Sequence, residues 1–171
     1  MSSAPMKRRN IIVMLVLFLI PIINVFYWIF WWCSVQNQIK RRTGMGFGGF
    51  GHLLLTIFTF GIYPIYWHFV VSRRIGAAGG PNKRGLYGIL YLVCVLLSYG
   101  LLAGGVVMLF SGMTDLVQQL ADNTIEFSYF WEQLMAGAAA AWAMSAIGSI
   151  FMIIQMYVIP LLIQRDVNRA N

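Results

Sequence analysis

Four long runs without a single Asp, Glu, Lys or Arg constrain this chain more than any other feature of its 171 residues. The runs cover residues 10–39, 43–72, 85–114 and 133–164, hold 122 residues, and leave all 17 charged residues to the remaining 49. Each run contains a stretch close to the ~20 apolar residues that cross a bilayer. They predict a membrane protein and exclude a soluble enzyme, a nucleic-acid-binding protein and a disordered chain. The net charge of +7 then indicates charges flanking a membrane.

Two of the four hydrophobic segments predicted for this all-α integral membrane protein are interrupted near their middles. Proline removes a backbone donor and clashes with the preceding helical turn. The freed backbone groups need partners inside the protein, because lipid offers none. The interrupted segments are 11–32, which contains Pro21 and Asn24, and 50–71, which contains Gly61 and Pro64.

The other two segments, 86–110 and 134–163, have no proline in their central turns and are predicted to span the membrane as a helical hairpin. The basic start followed by an apolar run predicts an uncleaved anchor, since no small-residue cleavage site follows. The predicted regions are a basic N-terminus at 1–10, a repeat-like membrane region at 11–80, two transmembrane helices within 86–163 joined by a linker at 111–133, and a tail at 164–171.

The linkers differ in the sign of their charge, and this difference predicts the topology. Short basic loops stay in the cytoplasm, so the loop around 73–84 and the C-terminal tail are predicted inside. The linker 111–133 has four acidic residues and no basic one, and is predicted on the outer side. Its apolar spacing predicts two short amphipathic helices, with Asn123 and Glu126 forming a capping box. The expected location is a bacterial inner membrane.

The first half of the chain allows two topologies. Simple spanning by segments 11–32 and 50–71 exports the basic triplet Lys40–Arg42, whereas a re-entrant hairpin in each segment keeps every basic cluster on one side. An internal repeat bears on this choice. With a shift of 36, residues 16–39 align with 52–75 at seven identical positions. Two similar repeat copies, each followed by basic residues, are expected to have the same orientation in the membrane. The same orientation favours the re-entrant hairpins, because single crossings would place the two copies in opposite orientations.

The most specific motif lies at the break of the second segment. A helix interruption is followed there by aromatic side chains that suit the headgroup region of a membrane. Thr59 precedes the break and offers a hydroxyl to the freed backbone groups. The motif consists of Thr59, Gly61, Ile62, Tyr63, Pro64, Tyr66 and Trp67.

This motif resembles the signature Thr-x-Gly-Ile-Tyr-x-x-Tyr-Trp of an uncharacterised, mainly bacterial membrane family, domain of unknown function 4234. The resemblance covers about residues 8–80. The first repeat copy departs from it, since Asn24 and Val25 stand at the positions of Phe60 and Gly61. Membership implies a membrane location, no established activity and no catalytic residues.

Small residues at helical spacing predict close packing between the last two segments. Stripes of this kind let the backbones of membrane helices approach each other. A contact with a second subunit is the alternative use. The predicted packing residues are Gly100 and Gly104 in segment three, and Gly137, Ala141, Ser145 and Ser149 in segment four.

No pattern predicts a catalytic, cofactor-binding or metal site. Cys33 and Cys94 are isolated, and no Cys/His spacing typical of a metal site is present. His52 and His68 stand 16 residues apart, about 24 Å on one helix, although a hairpin would bring them closer. No buried charged residue is expected as their partner.

The sequence therefore predicts a non-catalytic structural or accessory membrane protein, with self-association or membrane shaping as versions of that role. Its expected partners are the lipid bilayer and other membrane protein chains or further copies of itself, and no nucleic acid. A lipid-modifying enzyme would need a clustered polar site. The main alternative is a homo-oligomeric channel for a small solute, lined by Asn24, His52, Thr56, Thr59 or Gln155.

Overall fold

A computed structural model describes residues 7–170 of the chain. Residues 1–6 of the predicted basic N-terminus, and Asn171 of the predicted tail, lie outside the described residues. All regular structure in the described part is helical, which confirms the all-α class. The helices are α1 (Ile11–Leu19), α2 (Pro21–Thr43), α3 (Gly49–Phe58), α4 (Ile62–Ala77), α5 (Leu86–Ala121), α6 (Phe127–Ile153) and α7 (Ile159–Arg169), with a π-helical turn at Ile154–Val158 between α6 and α7.

Two helical stretches of the described chain are long and apolar enough to cross a membrane. They are Leu86–Ala121, with 36 residues, and Phe127–Arg169, with 43 residues including the π turn. Only 17% and 22% of their most apolar windows are buried within the protein. Most of this apolar surface is therefore left uncovered by the chain, as expected of helices that contact lipid.

The chain divides into two compact units. Unit 1 runs up to Leu92 and resumes at Gln155, whereas unit 2 is Val93–Ile154. Helix α7 therefore packs with the repeat-like region near the start of the chain. The sequence had grouped the residues up to 163 with the two spanning helices.

The interruption of the first segment lies between Ile20 and Pro21. Ile20 has an extended backbone (φ −87°, ψ 111°), and Pro21 opens α2. A residue before proline avoids the helical region, while proline itself suits the first position of a helix. Asn24 is not part of the break, because it lies inside α2. The break leaves α1 with nine residues, about 14 Å long.

Helices α1 and α2 form an antiparallel pair in unit 1. Near the break the rings of Phe18 and Tyr27 meet edge to face, with centroids 5.3 Å apart. At the other end the backbone N–H of Lys7 donates to Gln38 Oε1 at 2.5 Å. The chain thus enters and leaves this pair at the same end.

The second interruption is a helix-ending motif built on Phe60 and Gly61. Both have positive φ, +49° and +85°. The N–H of Gly61 donates to the Thr56 carbonyl, and the N–H of Phe60 donates to that of Ile57, which is the Schellman pattern that closes a helix. Helix α4 then turns back along α3, since His52 of α3 contacts Tyr63 of α4 with centroids 5.0 Å apart.

Helices α2, α4 and α7 supply the core of unit 1. Each contributes three fully buried side chains spaced four residues apart, the spacing that keeps side chains on one helical face. Two of the three sets are repeat copies, at a shift of 36. The sets are Trp31, Val35 and Ile39 in α2, Trp67, Val71 and Ile75 in α4, and Ile159, Ile163 and Val167 in α7.

The three core helices run in the same direction. Asn24 and Trp31 of α2 bond to Tyr157, just before α7, and to Gln164 of α7, so α7 is parallel to α2. Helix α3 is antiparallel to α2, because Trp32 contacts His52 while Asn37 accepts from the Gly49 N–H. Helix α4 reverses again and is parallel to α2.

This arrangement gives unit 1 two different ends. One end, called here the basic end, gathers the helix ends and loops that carry every Lys and Arg of the chain. The opposite end carries the two breaks, Ile20–Pro21 and Thr59–Gly61, called here the tips. The basic residues are Lys7, Arg8, Arg9, Lys40, Arg41, Arg42, Arg73, Arg74, Lys83, Arg84, Arg165 and Arg169.

The predicted amphipathic linker 111–133 is not a separate element. Helix α5 continues to Ala121 and α6 begins at Phe127, so only residues 122–126 form the turn. The capping-box prediction was wrong, since Glu126 is itself the N-cap residue and makes no capping side-chain bond. A continuous helix and a short surface helix share the 3.6-residue period, so the spacing alone did not separate them.

The last helix extends past the predicted segment end at 163, to Arg169. Its irregularity is the π turn at Ile154–Val158, directly before Pro160. Proline lacks the N–H that would bond to the carbonyl four residues back. A π turn accommodates a missing backbone hydrogen bond of this kind.

In unit 2, α5 and α6 approach each other most closely at two glycines that were not predicted. A methyl group on Gly105 would lie 3.1 Å from the Ala141 carbonyl oxygen, and one on Gly148 would lie 3.0 Å from that of Ser98. Close approach is therefore centred on these two glycines.

Candidate functional site

The motif 59–67 builds the second tip of unit 1. The Thr59 hydroxyl donates to the Leu55 carbonyl at 2.6 Å and accepts the Tyr63 N–H at 3.0 Å. It thus links the last turn of α3 to the first turn of α4. Pro64 is buried in that first turn. Glycine suits the backbone of Gly61, because its φ of +85° disfavours side chains.

The remaining motif residues divide between core and surface. Trp67 is fully buried and Tyr63 is nearly so, whereas Ile62 and Tyr66 are exposed. The motif therefore has two faces. One face packs α4 into the core of unit 1, and the other contributes to the apolar surface around the tip.

Trp67 is tied to α2 by Gln36. The Trp67 indole Nε1 donates to Gln36 Oε1 at 2.9 Å, and Gln36 Nε2 donates to the Phe47 carbonyl at 2.7 Å. Arg74 Nη1 approaches the same Gln36 oxygen at 3.4 Å. One fully buried glutamine thus joins α2, α4 and the loop before α3. The sequence analysis missed Gln36, because no motif marks it.

The first repeat copy makes the equivalent tie. Trp31, which aligns with Trp67 in the repeat, donates from Nε1 to Gln164 Oε1 at 2.9 Å. Gln164 Nε2 continues to Asn168 Oδ1 at 2.8 Å, and Asn168 Nδ2 donates to the Arg9 carbonyl at 2.8 Å. Both repeat tryptophans therefore donate to a buried glutamine on a neighbouring core helix.

The two histidines lie on either side of Trp67. Its ring centroid is 5.2 Å from that of His52 and 5.0 Å from that of His68. His68 also stacks on Tyr91 at 3.9 Å and donates from Nδ1 to the Pro64 carbonyl at 2.7 Å. The described residues contain no group of three or more His, Cys, Asp and Glu side chains arranged to hold a metal ion.

An ion pair with a buried carboxylate connects the loop before α5 to α7, and no sequence pattern predicted it. Asp166 is fully buried. Its Oδ2 lies 2.9 Å from Lys83 Nζ and accepts the Tyr87 hydroxyl at 2.5 Å. One charged residue is therefore buried, although its partners are Lys83 and Tyr87 and not the histidines. In sequence Asp166 stands between basic neighbours in a tail, and nothing there distinguishes it from a solvated charge.

The packing residues predicted for the last two segments contribute unequally. Ala141 is buried and Ser145 approaches the position of a methyl group on Gly105, so these two belong to the α5–α6 contact. Gly104 faces the Met144 side chain. Gly100 and Gly137 have no atom within 4 Å of an added methyl group, and Ser149 is exposed. None of these three therefore makes the predicted close contact between α5 and α6, and Gly137 instead lines a cavity between the two helices.

Within the described part of a single chain, the polar residues of the channel alternative are not grouped around one cavity. Thr56 bonds to the His52 carbonyl within α3, and Asn24 bonds to Tyr157. His52 is fully enclosed by rings. Cavities of about 490 and 220 Å³ lie in unit 2, and one of about 320 Å³ lies at the basic end of unit 1. None of these three cavities is lined by the five residues proposed for a channel.

The tips expose large apolar side chains. At the first tip these are Leu19, Ile20 and Ile22, and at the second they are Phe58, Phe60 and Ile62. Phe60 is 96% exposed, in a left-handed backbone conformation. Contiguous apolar surface of this kind marks contact with a membrane or another protein.

Comparison with protein families matches residues 50–121 to the model described as Domain of unknown function (DUF4234). The match confirms the resemblance for this region. It starts at the second repeat copy and extends through α5, and it does not include the first copy. No curated protein and no solved structure matches the chain.

Proposed function

We propose that this chain, whose residues 50–121 match the DUF4234 model, is a non-catalytic membrane protein that acts as a structural or accessory subunit in a bacterial inner membrane. The observation that carries the proposal is the polarity of unit 1. All cations gather at its basic end, and large apolar side chains are exposed at both tips. That distribution suits insertion of the tips into lipid from the cytoplasmic side.

The lengths of the helices support insertion without crossing. Helices α1 and α3 have nine and ten residues, about 14 and 15 Å, against a hydrocarbon thickness of about 30 Å. Each therefore reaches about half the depth of the bilayer before the chain turns back. Two such hairpins displace lipid mainly in one leaflet, which is the physical basis of a membrane-shaping role.

Charge supports the sidedness. Short basic loops are retained in the cytoplasm, so the basic end is placed inside. Helix α5 and the run Phe127–Arg169 then cross the membrane, and the acidic turn at 122–126 lies outside. The C-terminus returns to the cytoplasm.

The interior of unit 1 supports a structural role. Several of its buried polar side chains pair across helices, as in Trp31–Gln164, Trp67–Gln36 and Lys83–Asp166. Other buried polar atoms, among them both ring nitrogens of His52, have no hydrogen-bond partner among the described residues. Satisfied buried pairs fix helix positions.

Cysteine labelling tests the topology. In a Cys33→Ala/Cys94→Ala background, Met45→Cys reports the loop between the two hairpins, and Thr124→Cys is the matched control on the opposite side. A membrane-impermeant maleimide should label Met45→Cys only in inside-out vesicles and Thr124→Cys only in right-side-out vesicles. Labelling of both positions from the same side contradicts the proposal.

Assembly is tested by purification from native membranes in mild detergent, with chemical crosslinking before extraction. We expect the chain to be recovered in crosslinked species with further copies of itself or with a distinct membrane protein. Recovery as a lone monomer, with and without the crosslinker, would overturn the subunit role.

A further inference from the structure

We propose that the pocket at the basic end of unit 1, between the residues before α1 and helix α2, binds the phosphate headgroup of an anionic phospholipid. The pocket has a volume of about 320 Å³. Its polar lining is formed by Lys7, Ser34, Asn37, Gln38 and Arg41. Two cations and three hydrogen-bonding side chains, with no carboxylate among the lining residues, suit a phosphate.

Arg9 adds a third cation beside the pocket. Its Nη2 donates to Ser34 Oγ at 2.6 Å, and its guanidinium lies 5.2 Å from the centre of the Phe30 ring. Both Ser34 and Phe30 line the pocket. The other terminal nitrogen, Nη1, is buried without a hydrogen-bond partner among the described residues. An unpaired buried cationic donor is costly. Arg9 does not itself line the pocket, but its charge lies directly behind two residues that do, Ser34 and Phe30.

An apolar track on the same helix identifies the ligand as a lipid. Ile22, Phe26 and Phe30 follow each other at four-residue spacing on α2 and are 77%, 72% and 60% exposed. Phe30 also borders the pocket. The face of α2 thus changes from apolar near the tip to polar and basic at the pocket. A phospholipid has the same order, from acyl chain to phosphate.

The orientation of this lipid rests on the proposed function, which places the basic end at the cytoplasmic membrane surface. Anionic lipids attract basic residues there, and basic pockets beside membrane helices bind anionic headgroups. The pocket itself is defined by side-chain contacts alone, so binding can be measured without knowing the topology.

Native mass spectrometry of the purified chain in detergent tests the site. The probes are phosphatidylglycerol, phosphatidylcholine of the same acyl chains, and inorganic phosphate. The pocket variant is Lys7→Gln/Arg41→Gln. The matched control is Lys40→Gln/Arg73→Gln, which removes two exposed cations of the basic end that do not line the pocket.

We expect the wild-type chain to retain phosphatidylglycerol in preference to phosphatidylcholine. The pocket variant should bind phosphatidylglycerol about 30-fold more weakly, the loss expected for two basic contacts. The control should change by less than about threefold on the same scale. A Phe26→Ser variant should weaken long-chain phosphatidylglycerol more than its dihexanoyl analogue, because only the long chain reaches the track.

Three results would overturn the proposal. Equal weakening in the pocket and control variants would indicate diffuse charge attraction. Competition by millimolar inorganic phosphate, with no preference for long acyl chains, would indicate a free-phosphate site. Equal retention of phosphatidylglycerol and phosphatidylcholine would remove the headgroup selectivity. The labelling of Met45→Cys is independent of all three, so failure of the pocket and failure of the topology are distinguished.

Discussion

At the scale of single residues, Phe60 shows that a strained backbone is retained for an exposed side chain. Its φ of +49° lies in the left-handed region, where bulky residues are rare. Glycine is the usual residue at this position of a helix-ending motif. Phe60 is nonetheless the most exposed of the large apolar side chains described. Since strain of this kind clusters at functional positions, we interpret Phe60 as a residue selected to contact lipid or a partner.

Replacing Phe60 by glycine should stabilise the folded chain by about 1 kcal/mol, because the left-handed strain is removed. Gly61→Ala should instead destabilise the folded chain by about 1–2 kcal/mol, because its φ of +85° disfavours a side chain. An added methyl group meets no atom within 4 Å, so this cost comes from the backbone conformation and not from a clash. Thermal unfolding in detergent measures both. Phe60→Ala, which keeps the strain and removes the ring, is the control. Destabilisation by Phe60→Gly would contradict this account of the tip.

Gln36→Leu should destabilise the chain by about 2–4 kcal/mol, because it leaves the Trp67 indole N–H and the Phe47 carbonyl without their partner. A double-mutant cycle with Trp67→Phe separates the hydrogen bond from the packing. The unfolding free energies should show that Gln36→Leu costs less in the Trp67→Phe background. Strictly additive costs would mean that the bond contributes nothing.

At the scale of helices, the small residues of unit 2 do not by themselves show which faces of α5 and α6 are in contact. Small residues are frequent in both α5 and α6, so stripes of small residues arise on more than one face. The contact face is marked instead by Gly105 and Gly148, whose added methyl groups would meet backbone oxygens of the facing helix. Gly100 lies on an open face.

Gly148→Ala should weaken the α5–α6 pair by about 1–3 kcal/mol, the usual cost of overpacking, because the methyl group would lie 3.0 Å from the Ser98 carbonyl oxygen. Gly100→Ala is the matched change on the open face. It should be neutral or stabilising by up to about 1 kcal/mol, as alanine is the better helix former. Thermal unfolding of the two variants side by side is the measurement, and the reverse order would contradict the packing described here.

At the scale of the whole molecule, one ion pair closes unit 1 between distant parts of the sequence. Lys83 precedes α5, and Asp166 lies 83 positions later in α7. The pair is asymmetric, because the Asp166 side chain is fully buried whereas that of Lys83 is 25% exposed. Loss of the lysine therefore leaves a buried charge, while loss of the aspartate leaves a cation that water can reach.

Lys83→Met should destabilise the chain by up to about 3–5 kcal/mol, the cost of breaking a buried ion pair, because Asp166 then keeps only the more distant Arg165 at 3.9 Å and the Tyr87 hydroxyl. Lys83→Met/Asp166→Leu should recover a large part of that loss, since no buried charge remains. Denaturant or thermal unfolding in detergent, with the single Asp166→Leu variant included, completes the cycle. A double variant less stable than Lys83→Met would show that Asp166 acts through Tyr87 more than through the ion pair.

The sequence by itself determined the helical class, the places where helices break and the separation of charge along the chain. These features depend on local chemistry. Proline after Ile20 and glycine at 61 act on the backbone wherever they occur. Runs without charge require burial or lipid in any fold. The repeat at a shift of 36 also contains the six buried core positions of α2 and α4, because its identical pairs include Trp31/Trp67, Val35/Val71 and Ile39/Ile75.

Only the tertiary structure decided which apolar faces form the core, which glycines allow close approach and which charge is buried. In a soluble protein, hydrophobic periodicity separates the core face from the solvent face. In this chain both the inward and the outward faces are apolar, so that contrast is lost. The positions of Gln36, Gln164 and Asp166 depend on partners 31 to 133 residues away. Such pairing follows from how the helices fold against each other, which local sequence does not encode.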